Sequence, residues 1–203
     1  MKQILFYIIG LVSLSTFSCQ NKNCTIKSDP LSQYRDTLIG RFNGIDIDTL
    51  ICEPMDFLNS DFKGFHYKWR VFTKNRTVKD LILENKTIGI HFVKEGDLDG
   101  NDTEEWGYVT EWETSNWVCY HAFTNVHGEW QHIIEPTPIW LPHIDPQDSL
   151  YYTIKKGDIL QPSETTDFLK VKFSDVRNNG EDFLIIDTLI QIKSQKIEGF
   201  YSL

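Results

Sequence analysis

The chain is expected to fold as an all-β protein, an antiparallel meander, and three observations carry that expectation. From residue 37 onward the apolar residues come in short runs rich in Val, Ile, Phe, Tyr and Trp, the side chains that suit a pleated, half-buried surface. Clusters of Asn, Asp, Gly and Pro separate those runs, and these residues make turns. The third- and fourth-residue recurrence of an amphipathic helix is nearly absent.

Ahead of the first strand the N-terminus predicts export. Lys2 supplies a positive n-region, and the apolar stretch 4–14 is too short to cross a bilayer. Ser15, Thr16, Phe17 and Ser18 lead into Cys19, and this segment resembles the lipobox of bacterial lipoproteins, with Phe17 bulkier than that pattern usually carries. The resemblance implies cleavage after residue 18 and acylation of Cys19. The other reading is an ordinary signal peptide cut nearby, with Cys19 a plain thiol. Two or more acyl chains hold a protein stably on a membrane where one does so marginally. The expected organisation is therefore a lipoprotein signal peptide over 1–18, a polar, flexible tether over 19–30 and one β-rich domain over 31–203.

Strands are predicted at 37–42, 47–52, 67–73, 78–83, 87–93, 106–112, 117–123, 129–134, 169–173 and 182–192. Asn75-Arg76, Asn85-Lys86 and His127-Gly128 offer turn chemistry between neighbours. A short helix is expected at 163–168, where Ser163 can cap and Glu164 favours a first turn. Between 135 and 146 lie Pro136, Pro138, Pro142 and Pro146, which predict an extended connection that is neither strand nor helix. Trp140 in its middle is either the tip of a binding loop or a plug for the core.

The hairpin 106–123 has an informative alternation. Trp106, Tyr108, Thr110 and Trp112 share one face of a strand; Trp117, Cys119, His121 and Phe123 share one face of the next, with Val118, Tyr120 and Ala122 opposite. Apolar residues on both faces predict a hairpin inside a layered packing. Its aromatics are expected to fill the core, with a sugar platform as the functional alternative.

The formal net charge of the chain is −9; residues 1–18 contain one charged side chain, Lys2, so their removal leaves −10. A net anion gains no attraction from nucleic acid or an anionic membrane surface, which leaves metal cations and basic protein surfaces as suitable partners. With Cys19 assigned to lipid, Cys24, Cys52 and Cys119 remain. An oxidising envelope permits a Cys52–Cys119 bridge; equally, both can be small buried apolar residues. His66, His91, His121, His127, His132 and His143 show no ligand spacing, and no nucleophile or phosphate motif is present.

The densest run of oxygen ligands is 96–105, where Asp97, Asp99, Asp102, Glu104 and Glu105 fall within nine residues. Counting Asp97 as position 1 puts Asp99 at 3, Asn101 at 5, Thr103 at 7 and Glu105 at 9, alternate positions able to surround a hard cation. Position 12 is Tyr108, where an EF-hand needs a bidentate Glu, so the loop is not an EF-hand. Asp-x-Asp-Gly-Asn-x-x-x-Glu running into a strand resembles the calcium loop of FG-GAP or VCBS-type repeats, found in integrin-like β-propeller blades. That resemblance implies calcium held by Asp97, Asp99, Asn101 and Glu105, with Thr103 giving its carbonyl. Asp102 stands where the family usually has Gly, and Glu105 where it more often has Asp. The turns at Asn43 and Asn179 resemble the loop without its alternating acids. The resemblance implies a partial β-propeller; a β-sandwich of meanders is the alternative, because too few residues remain for a closed propeller. The wider chain also resembles lipoproteins of Gram-negative anaerobes, a likeness that brings no activity with it.

The function expected from these readings is non-enzymatic: a binding module with a calcium-stabilised β domain, tied by its N-terminal lipid to the bacterial cell envelope. The outer membrane is the expected site, facing periplasm or cell surface, and the partner an unknown protein or glycan, not nucleic acid. An immunity or inhibitor protein against a toxin is one alternative. A hydrolase of envelope polymers using Asp102 with Glu104, or Glu111 with Glu113, is another.

Overall fold

The structure, a computed structural model, describes residues 35–55, 67–111, 115–144, 154–175, 177, 184–192 and 195–196. The signal segment, Cys19, the tether, Cys24, His66, Trp112, Glu113 and the turn at Asn179 lie outside them, as does the side chain of Glu111. Within them the protein is all-β, as the sequence predicts. The strands are β1 (Asp36–Gly40), β2 (Asp48–Pro54), β3 (Tyr67–Thr73), β4 (Leu81–Thr87), β5 (Gly89–Gly96), β6 (Glu105–Glu111), β7 (Trp117–Val126), β8 (Glu129–His132), β9 (Thr137–Trp140), β10 (Leu160–Pro162), β11 (Phe168–Ser174), β12 (Ile185–Gln191) and β13 (Gln195–Lys196).

The described strands form three antiparallel sheets, none closed into a barrel; β1 to β12 fill them in chain order and β13 returns to the central one. The first has the order β1-β2-β3-β4, the central one β13-β8-β7-β6-β5 with β9 beside β7, and the third β10-β11-β12. Period-2 alternation decides how they stack. On one face of the central sheet, Trp106, Tyr108 and Phe123 meet Leu50, Cys52, Trp69, Val71 and Leu83 of the first sheet. On the other face, Val109, Val118, Tyr120 and Ala122 meet Leu160, Leu169 and Val171 of the third. The central hairpin is thus covered on both sides, and the protein is a three-layer sandwich with two cores. Aromatic rings dominate the first core: Trp106 stacks on Phe123 at 4.7 Å and meets Trp130 edge-on at 5.4 Å. Each large apolar side chain buried in this way contributes roughly 1.5–3 kcal/mol.

Several local expectations are corrected. Asn85-Lys86 is no turn, because β4 runs through it to Thr87. The chain changes sheets at Ile88 instead, where Thr87 Oγ1 donates to the Gly89 carbonyl at 3.0 Å. The proline-rich segment contains a strand, β9, which pairs with β7 and sets Pro138 opposite Cys119. A strand paired along one edge tolerates proline where the missing N–H would face outward. Ile139 is the residue of this strand that fills the core, at 1% exposure. Trp140 lies half-buried against Trp117, with ring centroids 5.2 Å apart, so it is not a loop tip. No helix forms at 163–168. Ser163 Oγ accepts the Thr165 N–H at 3.1 Å, but Asp167 takes φ +64 and reverses the chain into β11. Cys52 and Cys119 are both free thiols, Cys52 buried, and burial pushes both pKa values up.

Candidate metal centre

The acidic run forms the loop between β5 and β6, and local backbone chemistry explains its shape. The β5–β6 register shifts between Lys94 and Gly96, and Gly96 then turns with φ +84. Gly100 at φ +74 and Asp102 at φ +67 supply two further left-handed positions. Asp tolerates that region better than most residues. Side chains hold the curl. Asp97 Oδ1 accepts the Gly100 N–H at 2.7 Å and its Oδ2 the Asp102 N–H at 3.3 Å. Asp99 Oδ1 accepts the Asn101 N–H at 3.1 Å, and Asn101 Oδ1 the Thr103 N–H at 2.7 Å.

Leu98, buried in the core shared with the third sheet, pins the loop down. The curl brings together one carboxylate oxygen each from Asp97, Asp99 and Glu105, all within 4.8 Å of one another. Their burial is graded, with Asp97 exposed, Asp99 intermediate and Glu105 at 0% exposure. Glu105 accepts the Leu98 N–H at 2.5 Å, and Thr103 Oγ1 lies 3.2 Å from its other oxygen. Burial above all, then the negative charges of Asp99 and Asp97, push the Glu105 pKa up to about 8 against the opposing Leu98 N–H bond. Burial raises that of Asp99 too, opposed by bonds from Asn101 and Thr124. Among the described residues no lysine or arginine pairs with this trio. Three converging carboxylates without a soft ligand suit a hard divalent cation such as calcium.

Of the five ligands expected from the sequence, Asp97, Asp99 and Glu105 bring their carboxylates together, and Asn101 and Thr103 hydrogen-bond beside them in the same loop. Asn101 Nδ2 donates to Asp99 Oδ2 at 3.1 Å and to Thr124 Oγ1 at 2.9 Å, and Thr103 Oγ1 donates to Asn101 Oδ1 at 2.5 Å. Sequence reasoning missed Thr124, whose hydroxyl reaches Asp99 Oδ2 at 3.2 Å from β7. Its signal was a polar residue ending the buried alternation Val118, Tyr120, Ala122.

The β1–β2 turn abuts the loop. Glu104 donates its N–H to the Arg41 carbonyl at 3.0 Å and accepts the Arg41 N–H on Oε2 at 2.7 Å. Lys94 Nζ lies 2.9 Å from the same oxygen. Gly40 permits this approach, since a Cβ there would overlap Glu104 Oε2 and sit 2.9 Å from Phe42. Between turn and loop lies a cleft of about 270 Å³ lined by Ile39, Ile47, Lys94, Asp97, Asp102 and Glu104 among others. Although burial pushes the other way, the bonds from Lys94 and Arg41 hold the Glu104 pKa below its ordinary value.

No family model, curated protein or solved structure matches this chain.

Proposed function

We propose that this protein is a lipid-anchored envelope protein whose β domain binds calcium in the 97–105 loop and works as a non-enzymatic binding module for a protein or glycan. One observation carries the metal reading: a fully buried carboxylate, Glu105, converges with Asp97 and Asp99 within 4.8 Å. Glu105 and Asp99 supply the inner oxygens and Asp97 the exposed one, while Asn101, Thr103 and Thr124 keep them aligned. The ion supplies the positive charge that lets the three stay ionised together. The FG-GAP/VCBS likeness is part of this proposal, supported by the loop's left-handed Asp102 and by successive antiparallel sheets packed face to face in the manner of blades. Acylation at Cys19 places the module on the envelope.

The test is thermal melting of the full chain in detergent, with calcium and with chelator, beside Asp97→Ala and Asp99→Ala. Calcium at about 100 times its dissociation constant adds about 2.7 kcal/mol, which for a domain of this size raises Tm by roughly 5–10 °C. Both variants lose the shift. An unshifted parent protein overturns the metal reading. Failure to incorporate labelled palmitate in the native host, compared with Cys19→Ala, overturns the anchor.

A further inference from the structure

The third sheet ends on β12, and among the described residues no strand pairs with its outer edge. Hydrogen-bond phase says which groups that edge offers. Leu184 gives its carbonyl to the Asp175 N–H at 2.8 Å, and Ile192 donates its N–H to the Asp167 carbonyl at 2.8 Å. Bonding alternates along an antiparallel ladder, so Ile186, Thr188 and Ile190 also bond inward to β11. Ile185, Asp187, Leu189 and Gln191 turn their N–H and C=O groups outward. Proteins guard such an edge with prolines, bulges, lysines or brevity, and β12 carries none of these. It pairs with β11 from Ile185 to Gln191 without a register shift, and its one charged side chain is Asp187. The side chains are as open as the backbone: Leu184, Ile185 and Leu189 are 57%, 48% and 47% exposed, and Ile186 and Ile190 are half-buried.

We infer that β12 is a homodimer edge, on which a second copy of this chain pairs antiparallel about a two-fold axis through Thr188. The inference stands independently of the calcium reading. A two-fold axis normal to the sheet keeps each side chain on its own face, so odd-numbered residues meet odd and even-numbered meet even. Centring on Thr188 overlaps the whole strand. It sets Ile185 opposite the partner's Gln191 and Asp187 opposite the partner's Leu189, so every outward N–H and C=O of these four residues finds a partner. On the face toward the core it lays Ile186 against the partner's Ile190, and Ile190 already packs on the core beneath the third sheet. Centring on Asp187 instead sets two carboxylates face to face, which is destabilising, and other centres shorten the overlap. Charge fits the Thr188 register. Lys172 lies opposite Asp187 and Lys170 opposite Leu189 in the β11–β12 ladder, so one row across the joined sheet runs Lys172, Asp187, the partner's Leu189, the partner's Lys170. Each Asp187 thus lies between two lysines, the further one two strand spacings away, roughly 10 Å. The net charge of −9 opposes association at long range but is screened beyond about 10 Å. On the outward face of β11 and β12 the charged side chains are Lys170, Lys172 and Asp187, so the edge itself has no excess of negative charge. The opposite edge of this sheet, β10, is short and ends at Pro162. It offers no strand for head-to-tail growth, and β12 pairing with itself closes the assembly at two copies.

The experiment is sedimentation velocity of the full chain in detergent over a concentration series, beside Thr188→Lys and Thr188→Cys. Thr188 is exposed, and on the axis it forms a non-hydrogen-bonded pair whose Cα atoms stand about 4.5 Å apart. The parent is expected to pass from monomer to dimer as concentration rises. Thr188→Lys sets two ammonium groups face to face and weakens dimerisation at least about ten-fold, while its Tm at dilution, where both proteins are monomers, matches the parent's. Under mild oxidation Thr188→Cys forms an intermolecular disulfide, because that spacing suits one, and mass spectrometry of the linked peptide tells it from bonds between the native thiols. Gln191→Cys, displaced from the axis, does not. A parent that stays monomeric at every concentration overturns the inference, and slow amide exchange at 185, 187, 189 and 191 in that monomer gives the edge to another segment of the same chain. A dimer that Thr188→Lys leaves intact is held by a different surface and overturns it as well. Linking at 191 as readily as at 188 reports random collision and does the same.

Discussion

Glu105→Gln separates the structural cost of the buried carboxylate from its use. In chelator the folded state holds the Glu105 pKa at about 8 against an ordinary 4.5. A raised folded pKa means that the group's favourable contribution is complete below pH 4.5 and drains away as pH rises toward 8. At pH 7 that is a loss of about 3 kcal/mol, at 1.36 kcal/mol per pH unit. Glutamine matches the neutral acid in shape and can still accept the Leu98 N–H, so its stability does not follow this curve. The assay is urea unfolding of parent and variant between pH 5 and 8.5, in chelator and in calcium, read as the difference between the two proteins so that other titrations cancel. In chelator the parent should weaken relative to the variant by about 2.5 kcal/mol between pH 5 and 7. In calcium the difference should shrink or reverse, since only the parent keeps the inner carboxylate. A difference independent of pH, or an equal calcium response from both proteins, refutes the reasoning.

Three further outcomes follow from the packing. His121 and His132 are held neutral, with burial lowering their pKa values to about 3 and about 4. The unfolded chain gains protons below pH 6.5 that the folded chain refuses, so stability falls with pH by up to about 1.4 kcal/mol per unit for His121, and His121→Asn should flatten the acid limb of the urea midpoint. Gly107→Ala places a Cβ over the Tyr120 hydroxyl and 2.9 Å from the His121 carbonyl, displacing the bond from Tyr120 to buried Glu95. A loss of about 3 kcal/mol is expected by denaturant titration. Thr124→Val removes the hydroxyl that braces Asp99 and Asn101 and should weaken calcium binding about ten-fold by calorimetry, while leaving the core volume nearly unchanged.

The parts of the fold legible in the sequence are those governed by period-2 alternation. Runs such as 67–73 and 117–123 announce themselves as strands, and apolar residues on both faces of 106–123 foretell a central layer. What stayed hidden depends on partners far along the chain. β9 is masked by its prolines because the local rule forbids a strand, whereas the pairing with β7 needs only one edge. The 163–168 segment carries helix-start chemistry, but Asp167 adopts a conformation that only the β10–β11 reversal demands. At the candidate site the spacing of Asp97, Asp99 and Glu105 was readable because the loop is local. Thr124 and Arg41 were not, since a hydroxyl 25 residues from Asp99 and a backbone amide 63 residues from Glu104 leave no spacing to read.

From β1 to β12 the order of the three layers in space is also their order along the chain, and among the described strands β13 alone returns, to the edge of the central sheet beside β8. A chain delivered N-terminus first can therefore assemble by accretion: the inner face of β1–β4 waits only for β5–β8, and the far side of β5–β8 waits only for β10–β12. Vectorial growth of this kind keeps incomplete faces short-lived, because each is covered by the next segment to arrive. Its vulnerable moment falls between the second layer and the third, when Val109, Val118, Tyr120 and Ala122 stand open to water. Premature termination after β8 would leave that wall permanently bare, a truncated product marked for aggregation or proteolysis.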